Sequence, residues 1–277
     1  MKLKVGLIGY GLMGKRYFDH LTKNRSFKII KILKKNTKNK NSLFTKNKVE
    51  FFKHKFDLII ISSPANTHAL FINLSLKKKC HIIVEKPLIY KKKELCIFNK
   101  KISKKFSKKF IVHHSELNNP EYIKFKNKIN KNKHIKVINL NFIKKSEYIG
   151  KNNYPFFDWF PHPISLMIDL LGVPIDFKLK KNFFKIKNKK ILQDIHVKFI
   201  YKITTVNLFF NNFKNTSKKN IVIFSNKRKI EFSRNSKYSS INYMLNLIKN
   251  KKIYKNDIKL SVNTMSLIFK IKKLLKI

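Results

Sequence analysis

The chain has 277 residues, 43% of them hydrophobic and 25 of them Phe, which is enough apolar material for one or two cores and excludes a disordered chain. Its 64 Lys+Arg stand against 14 Asp+Glu, a formal net charge of +50. Two cysteines, Cys80 and Cys96, exclude a disulfide scaffold, and the scattered histidines have no metal-ligand spacing, so no metal site is expected.

In chain order, Leu3–Ile8 reads as a strand, Leu12–Lys23 as a helix and Lys28–Leu33 as a second strand. Leu58–Ser62 is a third strand, Leu70–Lys78 a helix, His81–Val84 a fourth strand, Lys91–Phe106 a helix and Phe110–His113 a fifth strand. Continuous Ile/Leu/Val strands alternating with helices predict a parallel sheet covered on both faces. After residue 115 the pattern changes. Pro120–Asn130 and His162–Leu171 read as helices, and strands follow at Lys136–Phe142, Ile195–Ile203, Val206–Phe210, Asn220–Phe224 and Lys229–Phe232. Tyr238–Asn250 and Lys259–Lys273 are closing helices. Successive β runs without intervening helices predict a mostly antiparallel sheet. The expectation is an α/β domain over residues 1–115 and an α+β domain over 116–277 built on an open sheet. The C-terminal helix has the option of packing back on the first domain. The Lys/Asn runs at 34–48 and 126–136 are low-complexity loops or frayed helix ends.

The charge has two readings. One is a nucleic-acid or anionic-membrane binder, because a high pI is the usual electrostatic footprint of such proteins. The other is compositional drift toward Lys, Asn, Ile, Phe and Tyr at the expense of Ala, Gly, Arg and Pro. Only four of the 64 basic residues are Arg (Arg16, Arg25, Arg228, Arg234), and Lys is spread along the whole chain. A phosphate reader would use the bidentate Arg fork generously. Drift is the preferred reading, and no specific nucleic-acid or membrane partner is expected. No window reaches ~18 uninterrupted apolar residues, and the basic-then-apolar start lacks a small-residue cleavage site, so a cytoplasmic location is expected.

The first strand runs into Gly9-Tyr10-Gly11-Leu12-Met13-Gly14, a G-x-G-x-x-G between a strand and a helix in a chain with six glycines. Gly9 permits the tight turn, Gly11 lets a pyrophosphate approach, and Gly14 lets the helix pack on the strand. The helix N-terminus offers free N–H groups to phosphate. This is the dinucleotide-binding signature of a doubly wound Rossmann sheet, so NAD(P) is the expected cofactor. The acidic residue that takes the ribose 2′-hydroxyl of NAD is missing. Lys34 and Lys35 stand at the end of the second strand instead, and cations suit a 2′-phosphate, which tilts the expectation toward NADP.

Further residues carry a resemblance. Ser63-Pro64-Ala65-Asn66-Thr67-His68, Val84-Glu85-Lys86-Pro87 and Asp158-x-x-x-His162, together with the glycine loop, make the chain similar to the Gfo/Idh/MocA oxidoreductases, nearly end to end. The resemblance implies that Lys86 and His162 are the proton-transfer pair. It implies that Ser63, Pro64, Asn66, His68, Glu85 and Lys86 border the cofactor with Gly9–Gly14, that the Lys86–Pro87 peptide is cis, and that the second domain forms a homodimer or homotetramer. The residues themselves agree with that chemistry. Lys86 follows an apolar strand at the carboxyl end of a parallel sheet, where open α/β sheets bind ligands, and an ammonium there stabilises a developing alkoxide. Asp158 and His162 are one helical turn apart, so Asp158 either orients the imidazole or holds a substrate hydroxyl. Pro161 and Pro163 predict that the regular helix starts only at Pro163, with His162 near its N-cap as a neutral general base. Asn66 or Thr67 is expected to cap the helix that follows. His113, His114, Asn118 and Trp159 are candidate substrate contacts.

Departures from the family pattern concern the substrate. Residues 36–56 are few, so the second crossover helix is reduced or lost; Leu117-Asn118-Asn119-Pro120 lacks the family's Arg, and Ser165 stands where many relatives have Asp. The reading is an NAD(P)-dependent enzyme moving hydride between nicotinamide and a carbinol or carbonyl carbon of a small sugar-like or polyol substrate. The alternatives are a biliverdin-reductase-like reductase of another small molecule, and a non-catalytic dinucleotide-binding protein on nucleic acid or anionic membrane.

Overall fold

The fold was obtained as a computed structural model of the full chain. It describes residues 1–35, 41–102, 109–130, 135–143, 155–187, 190–212, 218–225, 228–233, 239–250 and 257–275. The end of the helix expected over 91–106, Tyr238, and parts of the two Lys/Asn runs lie outside these residues. The chain forms two compact units. One comprises Met1–His114 with Ser239–Met265, the other Ser115–Tyr238 with Ser266–Ile277.

The first unit holds a six-stranded parallel sheet: β1 (Leu3–Ile8), β2 (Phe27–Leu33), β3 (Phe44–Thr45), β4 (Leu58–Ile61), β5 (His81–Glu85) and β6 (Phe110–His113), in the order β3-β2-β1-β4-β5-β6. The central strands are apolar at every position: Leu58, Ile59, Ile60 and Ile61 are all fully buried. Each such side chain contributes roughly 1.5–3 kcal/mol by leaving water. The order reverses between β1 and β4, which places the topological switch point at the end of β1. Helices α1 (Leu12–Thr22), α2 (Lys48–Lys53), α3 (His68–Leu76) and α4 (Lys92–Lys101) connect the strands. The second crossover helix is reduced to the six residues of α2, started by Asn47, whose Oδ1 accepts from the Val49 and Glu50 amides at 2.8 and 3.3 Å.

Helix α8 (Ser240–Lys249) also belongs to this unit. Ile241, Met244, Leu245 and Ile248 recur at helical spacing and share one core cluster with Val5, Leu7, Tyr17, Leu21, Ile60 and Ile83. Ser239–Met265 therefore lies with the first unit, although chain order alone put it with 116–277.

The second unit holds the strands β7 (Ile135–Ile143), β8 (Asp176–Lys187), β9 (Lys190–Ile200), β10 (Thr205–Asn211), β11 (Lys218–Ser225) and β12 (Arg228–Ser233), in the order β12-β11-β7-β10-β9-β8. The sheet is mostly antiparallel, and β7·β10 is its parallel pair. Ile195, Val197, Phe199, Val206, Leu208 and Phe210 alternate inward with at most 2% exposure, the period-2 pattern of a sheet with one buried face. Helices α5 (Pro120–Asn130), α6 (Pro155–Trp159) and α7 (Pro161–Leu171) accompany it. Tyr122 and Lys126 of α5 both reach Asp169 of α7 at 2.7 Å. The final helix, α9 (Asp257–Leu275), contributes residues to both units.

The structure departs from the sequence pattern at three places. Strand β8 carries no continuous strand signal in the sequence. It is an edge strand, its Lys residues alternate only up to an irregularity between Leu179 and Lys181, and an edge needs no continuous apolar run. Strand β9 ends at Ile200, not Ile203; a turn closed by Tyr201 N–H to Thr204 O at 2.9 Å leaves Ile203 72% exposed. Helix α7 starts at Pro161, not Pro163. The first helical turn has no intrahelical acceptors for its N–H groups, so neither proline loses a bond there.

A buried polar cluster ties the first unit together at the carboxyl ends of β5 and β6. Glu85 Oε1 accepts from His113 Nδ1 at 2.6 Å and from the Tyr17 hydroxyl at 3.0 Å. His113 Nε2 lies 2.8 Å from the Ser240 hydroxyl on α8. Burial pushes the Glu85 carboxyl up, but His113, Lys86 and Tyr17 outweigh it and hold the group below its ordinary value. Burial, then the charge of Glu85, pushes the Tyr17 hydroxyl well above its usual range. A carboxyl depressed in the folded state stabilises the fold above the unfolded carboxyl pKa of ~4.3, and that stability is lost as pH falls through the folded value. Glu85→Gln should therefore cost about 3 kcal/mol near neutral pH, read as a lower denaturant midpoint. The gap to wild type should close below about pH 4. An unchanged midpoint at pH 7 would show that the cluster is not holding the unit.

Candidate active site

The loop between β1 and α1 is built by its three glycines in three different ways. Gly9 has φ +93°, and a Cβ there would lie 2.6 Å from the Ser63 amide nitrogen, so both conformation and space require glycine. At Gly14 a Cβ would sit 2.3 Å from the Gly9 carbonyl oxygen. At Gly11, φ is −81° and a Cβ would meet no atom of the described residues within 4 Å. Nothing among the described residues requires a glycine at residue 11. The open space lies at the N-terminus of α1, where free N–H groups and the helix dipole favour a phosphate, and the residues present fit a dinucleotide pyrophosphate.

Strand β4 braces this loop. The Ser62 amide donates to Ile8 O at 2.8 Å, and its hydroxyl reaches Gly9 O at 3.1 Å. Tyr10 packs edge-on against Phe18 and Phe44, and the Lys34 ammonium stands 6.0 Å from the centre of its ring. Lys34 is thus brought beside the glycine loop, while Lys35 is exposed. Leu12 is 72% exposed and Met13 is partly buried at the start of α1.

After β4, Ala65–Thr67 form a 3-10 turn that runs straight into α3. The expected cap is not made by either candidate. Thr67 occupies the position, but its hydroxyl turns back to Pro64 O at 2.7 Å and to the Ser63 hydroxyl at 2.7 Å, and Asn66 is exposed. His68, 1% exposed, bridges two loops: Nδ1 lies 2.8 Å from Pro87 O and Nε2 lies 2.9 Å from Ser63 O. Burial lowers its pKa against the pull of these carbonyls and of Glu85. The Lys86–Pro87 peptide is cis. Lys86 is partly buried directly after β5, beside Glu85, whose carboxylate is directed into the Tyr17–His113 cluster.

His113 and His114 are 3% and 4% exposed, and their Nε2 atoms meet the Ser240 and Ser261 hydroxyls, each at 2.8 Å. Both rings are thereby engaged inside the first unit.

In the second unit, His162 occupies the second position of α7 and is 6% exposed. Its Nδ1 lies 2.5 Å from Oε2 of Glu116, which is 3% exposed. The Ser115 hydroxyl donates to the same oxygen at 2.9 Å. The Trp159 ring is 5.5 Å from the imidazole, and Asp158 is partly buried in α6, four residues ahead of it. Asn118 is partly buried, next to Asn119, whose Oδ1 accepts from the Glu121 amide and starts α5. Glu116 was missed in the sequence. Its signal was scarcity: with 14 acidic residues in 277, a carboxylate just past a parallel strand end stands out. Among the described residues, no group of three or more His, Cys, Asp and Glu is placed to hold a metal ion, and no helix is long and apolar enough to cross a membrane.

Comparison with known proteins places these features. No curated protein matches the chain in sequence. Among solved structures, it is similar to a myo-inositol dehydrogenase from Corynebacterium glutamicum, with a TM-score of 0.82 and 12% identity over 97% of this chain and 95% of that one. It is similar to the UDP-N-acetylglucosamine 3-dehydrogenase GnnA from Acidithiobacillus ferrooxidans, with a TM-score of 0.79 and 12% identity over 99% and 97% of the two chains. It is also similar to GenD2 from gentamicin A biosynthesis, in complex with NAD, with a TM-score of 0.80 and 10% identity over 99% and 94%. At such identities these likenesses establish the fold alone. Residues 3–114 match the oxidoreductase family with an NAD-binding Rossmann fold, GFO_IDH_MocA. Over these residues the chain is similar to the NAD-binding Rossmann domain of the Gfo/Idh/MocA oxidoreductases.

Proposed function

We propose that the chain is a dehydrogenase or reductase that interconverts a carbinol and a carbonyl on a sugar-like or polyol substrate, with NADP preferred over NAD. The observation that carries the reading is the contrast among the loop glycines: two are required by neighbouring backbone, and at Gly11 the described residues leave open space of the kind a bound pyrophosphate would use. Two fold neighbours are, by name, dehydrogenases of myo-inositol and of a UDP-sugar, and a third holds NAD, which favours this substrate and cofactor class. The position of Lys34 beside Tyr10 supports a 2′-phosphate.

In this reading the bound nicotinamide supplies the hydride acceptor or donor. Lys86 hydrogen-bonds the substrate oxygen and stabilises its developing negative charge. His162 takes the hydroxyl proton in the oxidative direction and returns it in the reductive one. Asp158 holds a neighbouring hydroxyl, with Asn118 and Trp159 as further substrate contacts. The working form is a homodimer or homotetramer.

Fluorescence titration with NADPH and NADH tests the cofactor half. Gly11→Val should leave the thermal midpoint near wild type and weaken NADPH binding tenfold or more, about 1.4 kcal/mol. Gly14→Ala should lower both, because the clash is with backbone. Equal binding by wild type and Gly11→Val would remove the dinucleotide from this loop. Lys34→Ala should weaken NADPH binding about tenfold and leave NADH binding unchanged; equal losses for both would reverse the NADP assignment. For the reaction, wild type is assayed on a panel of polyols, sugars and nucleotide sugars. Lys86→Met should bind NADPH normally and lose about 100-fold or more in kcat. Normal cofactor binding without turnover on the panel would point to a non-catalytic dinucleotide-binding protein.

A further inference from the structure

We propose that Glu116 is a positioning residue that sets the tautomer of His162. Its buried carboxylate holds the ring proton at Nδ1 and leaves the lone pair at Nε2, the atom that receives the substrate proton. The inference rests on the reading of His162 as the general base and deepens it by naming how that base is prepared.

The geometry carries it. A carboxylate oxygen 2.5 Å from a ring nitrogen, with the two residues 3% and 6% exposed, forms a charge-assisted hydrogen bond with no competition from bulk water. An ionised carboxylate only accepts, so the nitrogen facing it must donate. Nδ1 therefore carries the proton, and in the neutral ring Nε2 is the base. The Ser115 hydroxyl donates to the same Oε2 at 2.9 Å, which favours the ionised form of Glu116 and fixes its direction. The ring itself is constrained on other sides. It sits in the first turn of α7, where the positive end of the helix opposes an imidazolium, and Ser165 bonds the His162 carbonyl oxygen at 2.9 Å. Helix α6 supplies Trp159, 5.5 Å away, and carries Asp158 four residues ahead of His162 in the chain. The two influences on the ring are opposed. The helix end disfavours the charged imidazole that forms when the proton arrives, and Glu116 stabilises it. A histidine–carboxylate pair of this kind recurs wherever imidazole must accept a proton through one defined nitrogen.

The full-length protein, labelled with nitrogen-15 at histidine, tests this without a known substrate. His162→Gln identifies the His162 ring signals. Wild type near neutral pH should show a protonated Nδ1 and a bare Nε2. Glu116→Gln should mix or reverse the tautomers, because an amide can donate as well as accept, and should lower the ring pKa by about one unit or more. Glu116→Asp keeps the charge, should retain part of the effect, and serves where the amide variant folds poorly. Unchanged tautomer and titration in Glu116→Gln would overturn the proposal, as would a ring protonated at Nε2 in wild type. With a substrate from the panel, Glu116→Gln should lose about 100-fold or more in kcat, with KM and NADPH affinity held. Full turnover by His162→Gln, with the spectra as expected, would refute the base assignment and leave the tautomer assignment standing.

Discussion

Helix α1 can start where it does because residue 14 has no side chain. Its first turn lies so close to the Gly9 carbonyl that a single added carbon would fall 2.3 Å from the oxygen. That approach packs the helix against the end of β1, points its unpaired N–H groups at the space beside Gly11, and puts Tyr17, one turn later, within reach of Glu85 and His113. The glycine loop and the polar cluster at the ends of β5 and β6 are therefore consequences of one contact. An added methyl at residue 14 would be felt at both.

Much of the first unit was legible because its information is local. Fully buried parallel strands such as Leu58–Ile61 are apolar at every residue, and glycines at fixed spacing in a glycine-poor chain are conspicuous. In the second unit the alternation of Ile195 to Phe210 marked the central strands. What escaped was set by long-range partners. Strand β8 takes its shape from pairing with β9 alone, and its own residues carry little apolar periodicity. The place of α8 in the first core depends on Leu7 and Ile60, more than 180 residues upstream, which no window over 238–250 contains. Glu116 pairs with a histidine 46 residues away, and Ser240 with one 127 residues away.

The strong positive charge recedes in importance once the burial is known. Among the described residues most lysines are exposed or partly exposed, and the acidic residues of the chain are few. Two of those few, Glu85 and Glu116, are buried against histidines. Drift can place a lysine almost anywhere on a solvated face at little cost. At these two positions it would leave an imidazole facing a cation out of reach of water, which is far more destabilising.

His68 has a consequence for how the loops around the lysine behave. A neutral imidazole owns one N–H, yet this ring stands between two carbonyl oxygens, Pro87 O and Ser63 O. Satisfying both takes a second proton, which its buried surroundings resist. In the neutral ring one carbonyl is fastened and the other is faced by a lone pair. The loop carrying Ser63 and the turn carrying Pro87 thus share a single bolt, and the proton's choice of nitrogen decides which of them is locked at any instant.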